Sequence, residues 1–285
     1  MKRDSRKQLL GAVATHTFLI VFTLATLYPL LGVLKIAFND GKGMGTSLAP
    51  FPESFTLSHF RTILSETNAA GEWLFGQQLT NSVIVSVATT VIGIFLATTA
   101  AYAFSRFRFP GRRTGLMAFL VSQMFPGVLT MVPLYILMQT LGLLDRLLGL
   151  ILVYSTTAIP FCVWMLKGYF DTIPKDLEES AIIDGAGRFT VFWRIMLPLS
   201  APAIAVTALF SFMTAWNEFV LAFIFMNKPD MFTLPVKIQR YVGEHDIQWG
   251  LFAASSVLVS IPVMALFYAL QRHLVGGLTA GAVKG

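Results

Sequence analysis

A chain of 285 residues that is 55% hydrophobic and only 13% charged, with a mean hydropathy of +0.68, lies outside soluble-protein usage and inside the polytopic membrane class. Its formal charge of +6 does not mark a nucleic-acid binder, because membrane proteins concentrate Lys and Arg on one side of the bilayer. The lone Cys162 has no partner within the chain, the scattered His16, His59, His245 and His273 offer no metal-ligand spacing, and no Gly-x-x-x-x-Gly-Lys-Ser/Thr loop is present, so ATP, if used, sits on another chain.

Lys2, Arg3, Arg6 and Lys7 precede an uncharged run from Leu9 to Leu34, long enough to cross a hydrocarbon core of about 30 Å as a helix. A cleaved leader would carry a shorter apolar region and a small-residue cleavage site. This run instead ends Leu31-Gly32-Val33-Leu34-Lys35, so residues 1–34 are read as a cytoplasmic amino terminus and a retained first span. Residues 35–78, with Pro50, Pro52 and mixed charges, form an extracytoplasmic loop in which Leu57, Phe60, Ile63 and Leu64 predict a short amphipathic helix.

A core over 79–275 follows. No charge lies between Glu72 and Arg106, and the second span is placed near Leu79 to Phe104, with the small residues Ala97, Thr98, Ala100, Ala101 and Ala103 allowing close helix packing. Arg106, Arg108, Arg112 and Arg113 cluster around a Pro110-Gly111 turn. The third span is placed from Gly115 to Thr140 and the fourth from Leu148 to Leu166, bent at Pro126, Pro133 and Pro160. Leu199 to Met226 makes the fifth and Leu251 to Leu274 the sixth. With the amino terminus inside, 14 of the 21 basic residues fall on the inner side, which predicts an all-α, six-span protein with both termini cytoplasmic.

Polar groups within spans are the candidates for a translocation path. Glu218, within Ala215-Trp216-Asn217-Glu218-Phe219, is the sharpest, because a carboxylate inside a span is costly and defaults to a functional hypothesis; a structural hydrogen bond is the other reading. Asn81 and Gln123 serve either as helix–helix glue or, with Tyr135, Trp216 and Asn217, as amides and ring faces suited to a polyhydroxylated ligand such as a sugar. Glu244-His245-Asp246 reads as a solvated loop tip.

Between the fourth and fifth spans lies a polar interval, 171–198, with its own helix periodicity. Leu177 and Ala181 fall on one face, with Glu178, Glu179 and Asp184 between and after them. Gly185 and Gly187 break the helix. Phe189, Phe192, Trp193 and Met196 then recur at the spacing of a helix lying along a membrane surface, before Leu197-Pro198 turns the chain into the bilayer. The spacing Glu179-Ser180-Ala181, Gly185, Ile195 and Leu197-Pro198 resembles the signature loop of the membrane subunits of ATP-binding-cassette importers, with Ser180 where the pattern has Ala. Residues 101–111, 123–126, 168–170 and the tail 278–285 are further similar to the G-type permease subunits of carbohydrate importers for maltose, trehalose and related sugars.

That resemblance implies a type I importer permease fold and a protein that is not itself an enzyme. It implies a homologous second permease, a dimer of cytoplasmic ATPases that carries the ATP and Mg, and an extracytoplasmic sugar-binding protein, in the cell membrane of a prokaryote. Glu179, Ser180, Ala181, Asp184, Gly185 and Ala186 would then couple to the ATPase. Thr279, Ala280, Gly281 and Lys284, in the cytoplasmic tail 276–285, would reach into the ATPase dimer as an extended strand. An ion-gradient-driven secondary transporter is the alternative from another class; it predicts inverted repeats and ionisable pairs near the midplane, and no repeat relates the first three spans to the last three.

Overall fold

The computed structural model describes residues 2–41, 43, 47, 49–243 and 247–282, with side chains from 11 to 271. Glu244-His245-Asp246 and Lys284 therefore lie outside the described residues. The elements are helical throughout, and among the described residues extended pairing is limited to three isolated bridges. The chain divides into two compact units, one of residues 1–66 and 238–260 and one of 67–237 and 261–285.

The first unit holds α1 (Lys2–Phe38) and α2 (Ser58–Ser65). α1 is exposed through its apolar length and becomes buried only near Lys35 and Ala37, as expected of a helix clothed by lipid. The outer loop folds back on its end. Lys35 Nζ donates to the carbonyl of Ser47 at 2.6 Å, Asn39 Oδ1 accepts from the amides of Glu53 and Ser54, and the Phe38 ring meets Phe55 and Phe60 at 5.4 and 4.9 Å. α2 falls where the spacing of Leu57, Phe60, Ile63 and Leu64 puts it, with Ile63 fully buried. Its His59 lies flat on Gly250, where an added Cβ would come within 2.2 Å of the imidazole.

The second unit is the bundle. α3 (Leu74–Arg106) lies along α6 (Leu147–Thr172). Between them in sequence come α4 (Arg112–Met124) and α5 (Gly127–Thr140). Then follow α7 (Asp176–Ile183), α8 (Arg188–Val191), a π-helical turn Phe192–Met196, α9 (Leu197–Leu199) and α10 (Ala201–Asn217), the last packed on α3 and α6. α11 (Val220–Phe225), a 3₁₀ turn Pro229–Met231 and α12 (Leu234–Gln239) follow. α13 (Trp249–Ala282) begins in the first unit and ends in the second.

Among the described residues four helices are long and apolar enough to span: 11–38, 74–106, 147–172 and 249–271. The count reaches six when each of two bent pairs is taken as one span. The third span bends at Pro126, as the sequence predicts, and sharply. α4 and α5 meet at 97°, because Pro126 forces Phe125 out of the helical region to ψ 127°. The fifth is also interrupted, ending at Asn217 and resuming at Val220. At the other end of the polar interval the chain turns by 76° between Leu199 and Ala201, where the sequence places the turn into the bilayer. The preceding π turn widens the helix just before Pro198, whose ring needs room at the carbonyl of Arg194. The tail expected to extend is helical in its backbone to Ala282.

Candidate functional site

α7 is a short helix with strong local instructions. Asp176, Glu178 and Glu179 occupy its first turn, where the helix dipole favours carboxylates. Its end is closed by Gly185 at φ +87°, with the amide of Gly185 donating to Ile182 and that of Ala186 to Ala181, the paired bonds of a Schellman cap. No other atom lies near the position of a Cβ at residue 185, so the demand is one of backbone alone. Gly185→Ala is expected to cost about 1 kcal/mol locally, read as faster amide exchange over 179–187 with the spans unchanged.

The knob made by α7 and α8 is bolted to α3. Arg106 Nε donates to Glu178 Oε1 in an ion pair whose side chains are only 6% and 9% exposed. Tyr102 Oη donates to Glu178 Oε2 at 3.1 Å, and Arg106 Nη2 donates to the carbonyl of Ile173 at 2.9 Å. Arg106 also reaches Ser105, whose hydroxyl donates to Asp171, the partner of Lys167. Beneath this network Phe170, Val191, Phe192 and Met196 pack with Ala97, Ala101 and Leu166, so the small residues of the second span admit the knob's apolar base. Opposite this anchored face, Glu179, Ser180, Asp184 and Gly185 are exposed, while Ala181 and Ala186 are half-buried against the cluster. Ile183, which sequence reasoning passed over, is 85% exposed at the tip.

The proposed path residues are held by separate contacts. Asn81 Nδ2 donates to the carbonyls of Asp230 and Phe232 at 2.7 and 3.1 Å, so its amide holds the Pro229–Met231 turn to α3. Gln123 Nε2 donates to the carbonyl of Thr157 at 2.9 Å, tying α4 to α6. Trp216 is buried under Phe212, with ring centroids 5.5 Å apart, and offers no open face; Asn217 is exposed and bonds back to Met213 in its own helix. Tyr135 packs against the outer apolar cluster that contains Tyr154.

Glu218 sits in the break of the fifth span and is held there by three donors. It accepts from the Tyr154 hydroxyl, from the amide of Leu221 at 2.9 Å and from that of Ala222 at 3.2 Å. Its carboxylate thus caps α11 and fixes it to α6, a structural role of the kind the sequence left open. Glu218→Ala would orphan the buried Tyr154 hydroxyl and two amides, an expected loss of about 1–3 kcal/mol. Thermal unfolding of the purified protein measures it; an unchanged midpoint with abolished transport would return Glu218 to the path.

Where α3 begins, a cleft of about 550 Å³ is lined by Glu72, Trp73, Gln77 and Asp230 among others. The Trp73 ring lies on Gly76, 2.2 Å from where a Cβ would stand, and is half exposed. Glu72 accepts from the amides of Asn68 and Gln77, which hold its carboxyl below the usual range.

Residues 89–279, which contain α6, the knob and most of the bundle, match the family described as binding-protein-dependent transport system inner membrane component. The chain belongs to that family. It is 35% identical over 282 residues to the maltodextrin transport system permease protein MdxG of Bacillus subtilis, covering 99% of each chain. To the maltose/maltodextrin transport system permease protein MalG of Salmonella typhimurium it is 38% identical over 297 aligned positions, 98% of each. The crystal structure of a bacterial ABC transporter that imports alginate shares the fold, with a TM-score of 0.77 at 23% identity over 94% of this chain and 97% of that one.

In this inner membrane component the family match begins within α3 and leaves out α1 and the outer loop, the part that the sequence also left without a diagnostic pattern. The Glu178–Arg106 pair and the Tyr154–Glu218 pair are what sequence reasoning missed. Each joins residues 72 and 64 positions apart, and only a charge at a span end beside a charged loop hinted at the first.

Proposed function

We propose that this chain is the permease subunit of an ATP-driven importer of maltose, maltodextrin or a trehalose-like oligosaccharide, forming half of its translocation path. The observation that carries the reading is the knob itself: a short capped helix, exposed at Glu179, Ile183 and Asp184 and anchored through Glu178 to the end of a span. The maltodextrin and maltose transport for which the 35–38% identical relatives are named supplies the sugar class. Partners on this reading are a second, homologous permease, two cytoplasmic ATPases that hold ATP and Mg, and an extracytoplasmic sugar-binding protein.

Alternating access then works through the knob. ATP binding draws the ATPases together, the docked α7 moves with them, and the buried ion pair passes the motion to α3. A docking loop transmits free energy only if it binds its partner differently in the two states, which places the weight on Glu179, Asp184 and the glycine cap. Thr279, Ala280, Gly281 and Lys284 are proposed as a second ATPase contact, with both termini in the cytoplasm. The outer cleft around Trp73 is a fitting place for the binding protein to dock. The secondary transporter draws no support: its ion site would be Glu218, whose carboxylate is engaged by the Tyr154 hydroxyl and the first amides of α11.

The test is purification of the tagged chain from its native membranes in mild detergent. Recovery of a second permease and an ATPase, with hydrolysis that rises on adding the binding protein and sugar, is the expected result. A solitary chain that transports in proteoliposomes without ATP would overturn the reading.

A further inference from the structure

Next to the knob runs a groove of about 280 Å³ that the coupling reading does not use. Phe95 and Thr99 of α3 form one wall, Phe189 and Trp193 the other, and Phe107 and Arg188 stand at its mouth. Phe95, Phe189 and Trp193 are 56%, 76% and 46% exposed. Its walls offer almost no polar group. The Thr99 hydroxyl is spent on the carbonyls of Phe95 and Leu96, at 3.1 and 2.9 Å, and presents its methyl outward. Tyr102, at the base, turns its hydroxyl to Glu178. Such a surface in water would be a liability; alongside a span it is a slot for hydrocarbon.

Charge and length say which hydrocarbon. From Arg106 at the end of α3 to Phe95 the helix rises about 16 Å, close to one leaflet of a core about 30 Å thick. The surface helix and the 76° turn into α10 put the mouth at the level where a bilayer's headgroups begin. Arg188 there lies with its guanidinium 5.2 Å from the centre of the Phe107 ring, and its N–H groups meet no acceptor among the described residues. Arg112 and Arg113 line an adjacent cleft, adding positive potential at the same end of the bundle. A planar cation held on a ring face with its donors unspent is matched by a phosphate oxygen.

We propose that this groove is a site for one anionic phospholipid of the cytoplasmic leaflet, an acyl chain lying between Phe95 and Trp193 and the phosphate on Arg188. The bound chain would fill the space between the knob and the second span, so that the knob moves against a lipid wall.

The importer complex purified through this chain, in nanodiscs, takes two photoreactive probes that differ only in headgroup: phosphatidylglycerol and phosphatidylcholine with a diazirine midway along one chain. Mass spectrometry should find the phosphatidylglycerol label on residues 95–99 and 189–193, about fivefold above the phosphatidylcholine label, the discrimination expected of one basic contact. Arg188→Gln should remove that preference, Arg188→Lys should keep most of it, and Thr99→Trp, which fills the slot, should abolish labelling by both probes. Equal labelling of the wild-type complex by the two probes overturns the proposal without any variant. So does a groove that crosslinks to the second permease or the ATPase in place of lipid.

Discussion

Arg106→Ala should detach the coupling knob. The substitution leaves the Glu178 carboxylate buried, with only the Tyr102 hydroxyl in reach, and a buried ion pair broken on one side costs about 3–5 kcal/mol. That exceeds what a helix of eight residues contributes by itself, so α7 should swing free while the apolar cluster below holds the spans. In the assembled importer we expect ATP hydrolysis to persist with transport falling by more than about tenfold, since motion of the ATPase no longer reaches α3. Arg106→Met with Glu178→Leu, which removes both charges and keeps volume, should regain much of the lost thermal stability. Ratios of sugar taken up to ATP hydrolysed, measured in proteoliposomes, decide it; an Arg106→Ala protein with an unchanged ratio would show that the pair is not part of the transmission.

Glu179→Lys is expected to produce a similar uncoupling by a different route. Glu179 is exposed and carries no contact that the fold needs, so thermal stability should stay within about 0.5 kcal/mol of the parent. The change should act only when the ATPase is present, by reversing a charge at the docked surface, where like-charge juxtaposition costs several kcal/mol. The two neighbouring carboxylates are thereby separable: loss at 178 shows in the isolated chain, loss at 179 only in the complex. Normal uptake by Glu179→Lys would remove the coupling assignment.

Why those neighbours differ was not legible in the sequence. Consecutive helical residues point about 100° apart, so Glu178 and Glu179 cannot both point straight at the bundle, and the one that does is selected by Arg106, 72 positions away. The existence of α7 and its end were legible, because the acidic first turn and Gly185 are local signals. The same division runs through the spans. Hydropathy predicts six spans, a number reached when each bent pair counts as one, and Pro126 announces the bend of the third but not its 97° angle. The interruption after Asn217 has neither Pro nor Gly to announce it, and it is stabilised by Tyr154 from another helix. For Asn81 and Gln123 the sequence offered helix–helix glue and ligand contact alike, because residue type reports hydrogen-bonding capacity and not where it is used.

The bare Ile183 at the tip of the knob, 85% exposed, has a consequence for the life of the chain in the cell. On the proposed coupling role, a molecule whose tip no ATPase covers would hold an aliphatic group toward the cytosol, the kind of feature that chaperones and proteases recognise. Synthesis in excess of the ATPase should therefore shorten its half-life, making degradation of orphans the means by which the stoichiometry of the assembly is kept.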